Sequence, residues 1–96
     1  MDITKLFGQV EQVRKKMEEF KQEMAQVEVT KETGAGLVKA TVNGNKELLS
    51  VSIDPSLLNK QDQKMVQDLI VGAVNLALEE VENKVQAVIQ KSAIGI

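Results

Sequence analysis

The stretch from Glu28 to Asp54, EVTKETGAGLVKATVNGNKELLSVSID, decides the fold because its apolar residues recur every second position. Val27, Val29 and Lys31 alternate with Glu28, Thr30 and Glu32, which predicts a first strand. Thr33-Gly34-Ala35-Gly36 interrupts it with glycines, which accept backbone angles closed to other residues. Leu37 to Val42 resumes the alternation, with Val38, Ala40 and Val42 on one face and Leu37, Lys39 and Thr41 on the other. Asn43-Gly44 is the strongest short hairpin signal, since a type I′ turn needs positive φ at both central residues. A third strand follows, with Leu49, Val51 and Ile53 on one face and Leu48, Ser50 and Ser52 on the other. Three strands joined by tight turns predict an antiparallel meander over 28–53 with one mostly apolar face.

Upstream the period changes from 2 to 3.5. Ile3, Leu6, Val10, Val13, Met17, Phe20, Met24 and Val27 are spaced 3, 4, 3, 4, 3, 4, 3. That is a heptad seam, the mark of a helix with a narrow packing stripe. A helix over 2–26 is roughly 37 Å long, whereas strands of five or six residues span only about 17–20 Å. Part of the helix must overhang the sheet, and its seam then needs a partner.

Downstream, Asp54-Pro55-Ser56 ends the sheet, and Asp followed by Pro suits the start of a single helical turn over 55–58. Asn59 or Asp62 is the expected cap of a final helix over 60–91. From Met65 to Leu78 this helix is apolar nearly all round, and Leu69, Ile70, Val74 and Leu78 belong to that zone. A helix apolar on every side is enclosed on every side, so its first half is expected over the sheet and in a subunit contact. A narrower stripe through Val81, Val85 and Val88, with Ile89 beside it, continues outward. It is expected to pair antiparallel with the overhanging part of the first helix. Ser92–Ile96 reads as a frayed end.

Ninety-six residues form one domain: helix over 1–27, meander over 28–53, helical turn and final helix over 54–96. So short a chain has a thin core and usually gains stability from a disulfide, a metal or a second subunit. There is no cysteine and no histidine, so disulfides, thiolate metal sites and the commonest general base are excluded. Oligomerisation is the route left, and a reducing compartment fits. No apolar run is long enough for a membrane span, and Met1-Asp2-Ile3-Thr4 lacks the form of a signal peptide.

Enzymatic chemistry finds no support. No histidine activates Ser50, Ser52, Ser56 or Ser92. Glu79, Glu80 and Glu82 diverge around a helix instead of converging on a cation. Gly34-Ala35-Gly36 lacks the Gly-Lys-Ser/Thr ending of a phosphate loop. The expectation is a protein that is not an enzyme, with no cofactor, no metal and no small-molecule substrate. Phe7 and Phe20 are the only aromatics, which leaves no stacking platform for single strands.

Twelve basic and fourteen acidic side chains give a net charge of −2, so any polyanion site must come from arrangement. The candidates are Lys5, Arg14, Lys15, Lys16 and Lys21 on the first helix, with Lys84 and Lys91 on the last. Arg14 and Lys21 follow the same seam position one heptad apart and share a flank, and Lys16 lies on the other. The competing reading is ordinary surface pairing of Glu11 with Lys15, Arg14 with Glu18 and Lys15 with Glu19, each four apart. Two protomers with about three phosphate contacts each would neutralise about six, and affinity would fall by roughly three decades between about 50 and 200 mM salt. Double-stranded DNA suits such a surface, because backbone contacts need no base-reading helix. The candidate seam residues for core or dimer contact are Val10, Val13, Met17, Phe20, Leu69, Ile70, Val74 and Leu78.

Val29–Gly44, followed by Val51-Ser52-Ile53-Asp54-Pro55-Ser56-Leu57-Leu58, resembles the YbaB/EbfC family of bacterial nucleoid-associated proteins. The Gly-Ala-Gly-Leu-Val-Lys core, the Asn-Gly turn and the Ile-Asp-Pro-x-Leu-Leu ending carry the resemblance, and the flanking helices extend it over essentially the whole chain. It implies an α+β protomer of αβββα order, a homodimer with protruding helical arms, and binding of double-stranded DNA at the cytoplasmic nucleoid. Ala40 stands where valine is usual, and the tail is shorter than is common in the family. Lys16 falls where relatives often carry lysine, whereas Arg14 and Lys15 replace residues that are often polar or acidic. The alternative function is a protein-interaction module that uses the apolar seam, with DNA incidental.

Overall fold

The elements follow the expected order. The structure, a computed structural model, describes residues 3–94. They form α1 (Ile3–Ala25), β1 (Glu28–Thr33), β2 (Val38–Asn43), β3 (Leu48–Ile53), a 3-10 turn (Pro55–Leu57) and α2 (Gln63–Ile94). The sheet is antiparallel with order β1-β2-β3, pairing Val29 with Val42 and Ala40 with Val51. Asp54 caps the 3-10 turn by accepting from Ser56 N at 2.9 Å. Asn59 and Asp62 brace the start of α2 together: Asn59 Oδ1 accepts from Asp62 N, and Asn59 Nδ2 donates to Asp62 Oδ2. The expected fraying at Ser92–Ile96 is not seen through Ile94, which is still helical, and residues 95 and 96 lie outside the described ones. Met1 and Asp2, the expected beginning of the first helix, also lie outside them.

The core sits between α2 and strands β1 and β2. Val38, Ala40, Val42, Ala73, Ala77 and Val81 are all fully buried. Small residues at 73 and 77, one turn apart, let the helix lie close on β2. Contacts on one flank of α2 fix its position over β1. Thr33 Oγ1 donates to Leu69 O at 2.7 Å, Gly72 faces the Thr33 methyl, and Lys31 pairs with Glu80 at 3.9 Å. The opposite sheet face is polar, and on it the Thr30 and Thr41 hydroxyls are hydrogen-bonded at 2.6 Å.

Two turns differ from expectation in instructive ways. Gly34, Ala35 and Gly36 all have positive φ, as the first turn requires. The Asn43-Gly44 dipeptide does not form a two-residue type I′ turn. Asn43 N donates to Glu47 O and Lys46 N to Asn43 O, closing a three-residue loop whose positive φ falls on Lys46, at 62°. Glycine is needed at 44 for space: a Cβ there would lie 2.5 Å from the Met24 carbonyl oxygen. The register also shifts, so that Leu48 is opposite Val42 and Leu49 is the extra residue of a bulge. Directly paired side chains share a face, so Leu48 joins Leu49, Val51 and Ile53 on the helix side, not Ser50 and Ser52.

The chain is elongated. Its radius of gyration is 19.4 Å, against about 12.5 Å for a compact chain of this length. From Ile3 to Glu23 every residue of α1 is exposed, and α1 does not pack along α2 within the chain. The expected antiparallel pairing is therefore absent inside one protomer. The reason is local: two turns, Gln26 N to Glu23 O and Val27 N to Met24 O, join α1 directly to β1. Those turns and the close approach at Gly44 set its direction.

Candidate nucleic-acid interface

The loop between β2 and β3 ties both helices to one end of the sheet. Asn43, itself buried, organises it: Oδ1 accepts from Asn45 N at 3.0 Å and Glu47 N at 3.1 Å, while Nδ2 donates to Glu47 Oε1 at 2.9 Å. Gly44 N donates to Met24 O and Val27 O, and Asn45 Nδ2 donates to Lys21 O at 3.0 Å. Of these acceptors, the Met24 carbonyl belongs to the last turn of α1, whose carbonyls lack donors within the helix. On the other side Lys46 Nζ meets Glu82 Oε2 at 2.6 Å. Lys46 and Gln86 both hydrogen-bond the Glu82 carboxyl and hold it below the usual carboxylate range. α1 and the outer part of α2 thus leave the sheet from the same end.

The basic side chains ride on these two helices. Lys5, Arg14, Lys15, Lys16, Lys21, Lys84 and Lys91 are all exposed. Arg14 meets Glu11 at 3.6 Å, with both side chains more than two-thirds exposed, and such a pair contributes about 0–1 kcal/mol. The expected pairs of Glu11 with Lys15, Arg14 with Glu18 and Lys15 with Glu19 do not form. Among the described residues no ion pair engages Lys5, Lys15, Lys16, Lys21, Lys84 or Lys91. The loop reaches the Lys21 carbonyl through Asn45 and the Glu82 carboxylate through Lys46, and Lys84 lies two residues past the tethered Glu82. The basic positions of α1 and those of α2 are otherwise not joined by packing within the chain. Lys46 and Asn45 were not among the residues expected at the site. Their signal was a polar pair beside Asn43-Gly44, which a hairpin turn alone accounts for.

The seam divides in two. Val10, Val13, Met17 and Phe20 are exposed and line an open apolar groove along α1, with Leu6 above them and Asn45 at its foot. Leu69, Ile70, Val74 and Leu78 are half-buried against the core. Among the described residues no group of three or more acidic side chains is placed to hold a metal ion, and no helix is long and apolar enough to cross a membrane.

Known proteins are similar to this chain in sequence and fold. The chain is 35% identical over 96 residues, all of its length and 93% of the relative's, to a protein of Anaeromyxobacter dehalogenans (strain 2CP-C) named nucleoid-associated protein. Its fold is similar to the crystal structure of an uncharacterized Helicobacter pylori protein, HP0035. The TM-score is 0.71 at 26% identity, covering 97% of this chain and 98% of that one. A sequence profile of the YbaB/EbfC DNA-binding family matches residues 1–96. With that match over its whole length, the chain belongs to the YbaB/EbfC DNA-binding family.

Proposed function

We propose that this protein binds double-stranded DNA at the cytoplasmic nucleoid, as a homodimer, mainly through phosphate contacts from basic side chains on its helical arms. The observation that carries the reading is α1 itself: a projecting helix with cations on both flanks and, Arg14 apart, no acidic partner in contact with them. Five cations stand on α1 beside four glutamates in a protein whose net charge is −2, so phosphate binding there rests on how the cations are arranged and not on excess charge. Phosphate contacts fix a protein on the duplex without reading its sequence, which suits a surface lacking tryptophan and tyrosine. Lys46 extends the set, since it sits at the root of both arms.

Mobility-shift titrations on duplex DNA test the proposal. Arg14→Glu with Lys16→Glu is expected to weaken binding at least ~100-fold, because roughly two phosphate-binding cations in each protomer become repulsive. Unchanged binding would remove the arm from the interface. The bare seam favours a second reading, capture of a protein partner along Val13 and Met17. In that case Met17→Asp abolishes partner binding while the charge reversals do little.

A further inference from the structure

We infer that Glu82 is an internal competitor for DNA phosphate: its carboxylate occupies Lys46 in the free protein, and a phosphate of the bound duplex displaces it. This rests on the duplex-binding reading and adds to it the residue that restrains Lys46 at the root of the arms.

One ion pair differs from the rest. Among the described residues, Lys46 to Glu82 at 2.6 Å is the shortest, and it alone joins the β2–β3 loop to α2. Arg14–Glu11 and Lys64–Asp68 lie within single helices, and Lys31–Glu80 spans 3.9 Å over β1. Gln86 Nε2 donates to the other Glu82 oxygen, Oε1, at 3.2 Å. Two donors, one of them cationic, therefore converge on a pair of anionic oxygens. Ammonium and amide donors serve phosphate as they serve carboxylate, so the Glu82 carboxylate sits where a phosphate would be held. Lys46 first, and then Gln86, hold that carboxyl below the usual range. Transfer of the ammonium to a phosphate would let it rise again.

The loop keeps its shape without this pair. Asn43 bonds Asn45 N, Glu47 N and the Glu47 carboxylate. Gly44 N reaches Met24 O and Val27 O, and Asn45 Nδ2 reaches Lys21 O. The Lys46 side chain can thus leave Glu82 while the loop backbone stays in place. Both side chains are about half exposed, at 58% and 41%, so a phosphate reaches the ammonium from solvent. Exposed pairs are weak, and breaking this one changes affinity by no more than about fivefold in each protomer. Glu82 restrains Lys46 without blocking it.

The backbone at Lys46 points the same way. Its φ of 62° lies in the left-handed region, which glycine and asparagine enter more readily than lysine. A lysine held there carries a backbone cost of the kind that gathers at functional sites. None of the hydrogen bonds that shape the turn uses its side chain. What lysine adds over glycine at this position is its ammonium.

A double-mutant cycle of Glu82→Gln and Lys46→Gln, read by mobility shift on duplex DNA at low salt, separates this pair from general charge. Glu82→Gln is expected to tighten duplex binding about tenfold, since both protomers of the dimer lose the restraint. In the Lys46→Gln background the same change should gain no more than about twofold, the screened effect of one fewer negative charge in each protomer. Equal gains in the two backgrounds overturn the inference, because Glu82 would then act only as a bulk charge. Neither residue is buried, so the variants fold, as circular dichroism would confirm. NMR titration of the unmodified protein gives a second readout. Saturation with duplex should raise the Glu82 pKa, and a carboxyl that titrates unchanged in the complex overturns the inference too. If none of the four proteins binds duplex at low salt, the DNA reading falls and this inference with it. Equal gains in a protein that does bind remove the inference alone.

Discussion

The body of this protein and its first helix carry the same kind of apolar residue at regular spacing, with opposite outcomes. In the body, Val38, Ala40, Val42, Ala73, Ala77 and Val81 are at 0% exposure. Along α1, Val13 and Met17 are about as exposed as surface lysines, at 59% and 67%. Periodicity sets which residues share a face. What lies opposite that face is set elsewhere, here by two tight turns and by one glycine that admits a carbonyl.

The contrast can be broken deliberately. Val42→Asp puts a charge where the core has no partner for it, and a cost of about 4 kcal/mol or more is expected. Thermal melting by circular dichroism should find it unfolded or nearly so. Met17→Asp, on the bare arm, should leave the body's melt within about 0.5 kcal/mol. Equal losses at the two positions would mean that α1 is as enclosed as the sheet. Gly44→Ala comes next in size: overpacking against the Met24 carbonyl should cost about 1–3 kcal/mol. The same change should speed amide hydrogen exchange at the end of α1, where Gly44 and Asn45 hold it, while β2 amides keep their order of protection.

The smallest expected effect is electrostatic and concerns the tie between the two regions. The Glu82 carboxyl is held low by Lys46 and Gln86, so its folded value lies below its unfolded one. The stabilisation it contributes is present above the unfolded value and is lost as pH falls through the folded one. With no histidine in the chain, stability should be nearly flat between about pH 5 and 8. The tie should loosen only on further acidification. NMR titration of the Glu82 side chain should show Lys46→Met raising its pKa toward the ordinary carboxylate range. No change would mean that the Lys46 contact is not populated in solution.

The αβββα order was legible because each change of hydrophobic period marks an element, and capping residues such as Asp54 and Asn59 mark the joints. The Asn43-Gly44 hairpin was legible as a turn but not as the clamp it is. Glycine is demanded there by Met24, about twenty residues away, and no local pattern encodes that approach. The bulge that turns Leu48 inward was hidden for a similar reason, since a two-residue alternation assumes an unbroken ladder. At the candidate interface, Arg14, Lys16 and Lys21 stood out as charges beside a seam. Lys46 and Asn45 did not, because their roles arise only when the loop meets both helices.

The measurement that bears most directly on the arms as a DNA-binding surface is the salt dependence of duplex binding by the unmodified protein. About six neutralised phosphates predict a linear fall of log K against log salt with a slope near −5. Replacing Lys16 or Lys21 with glutamine should make the slope shallower by about one for each phosphate no longer neutralised. A flat dependence, or a slope unaltered by both replacements, would contradict the account.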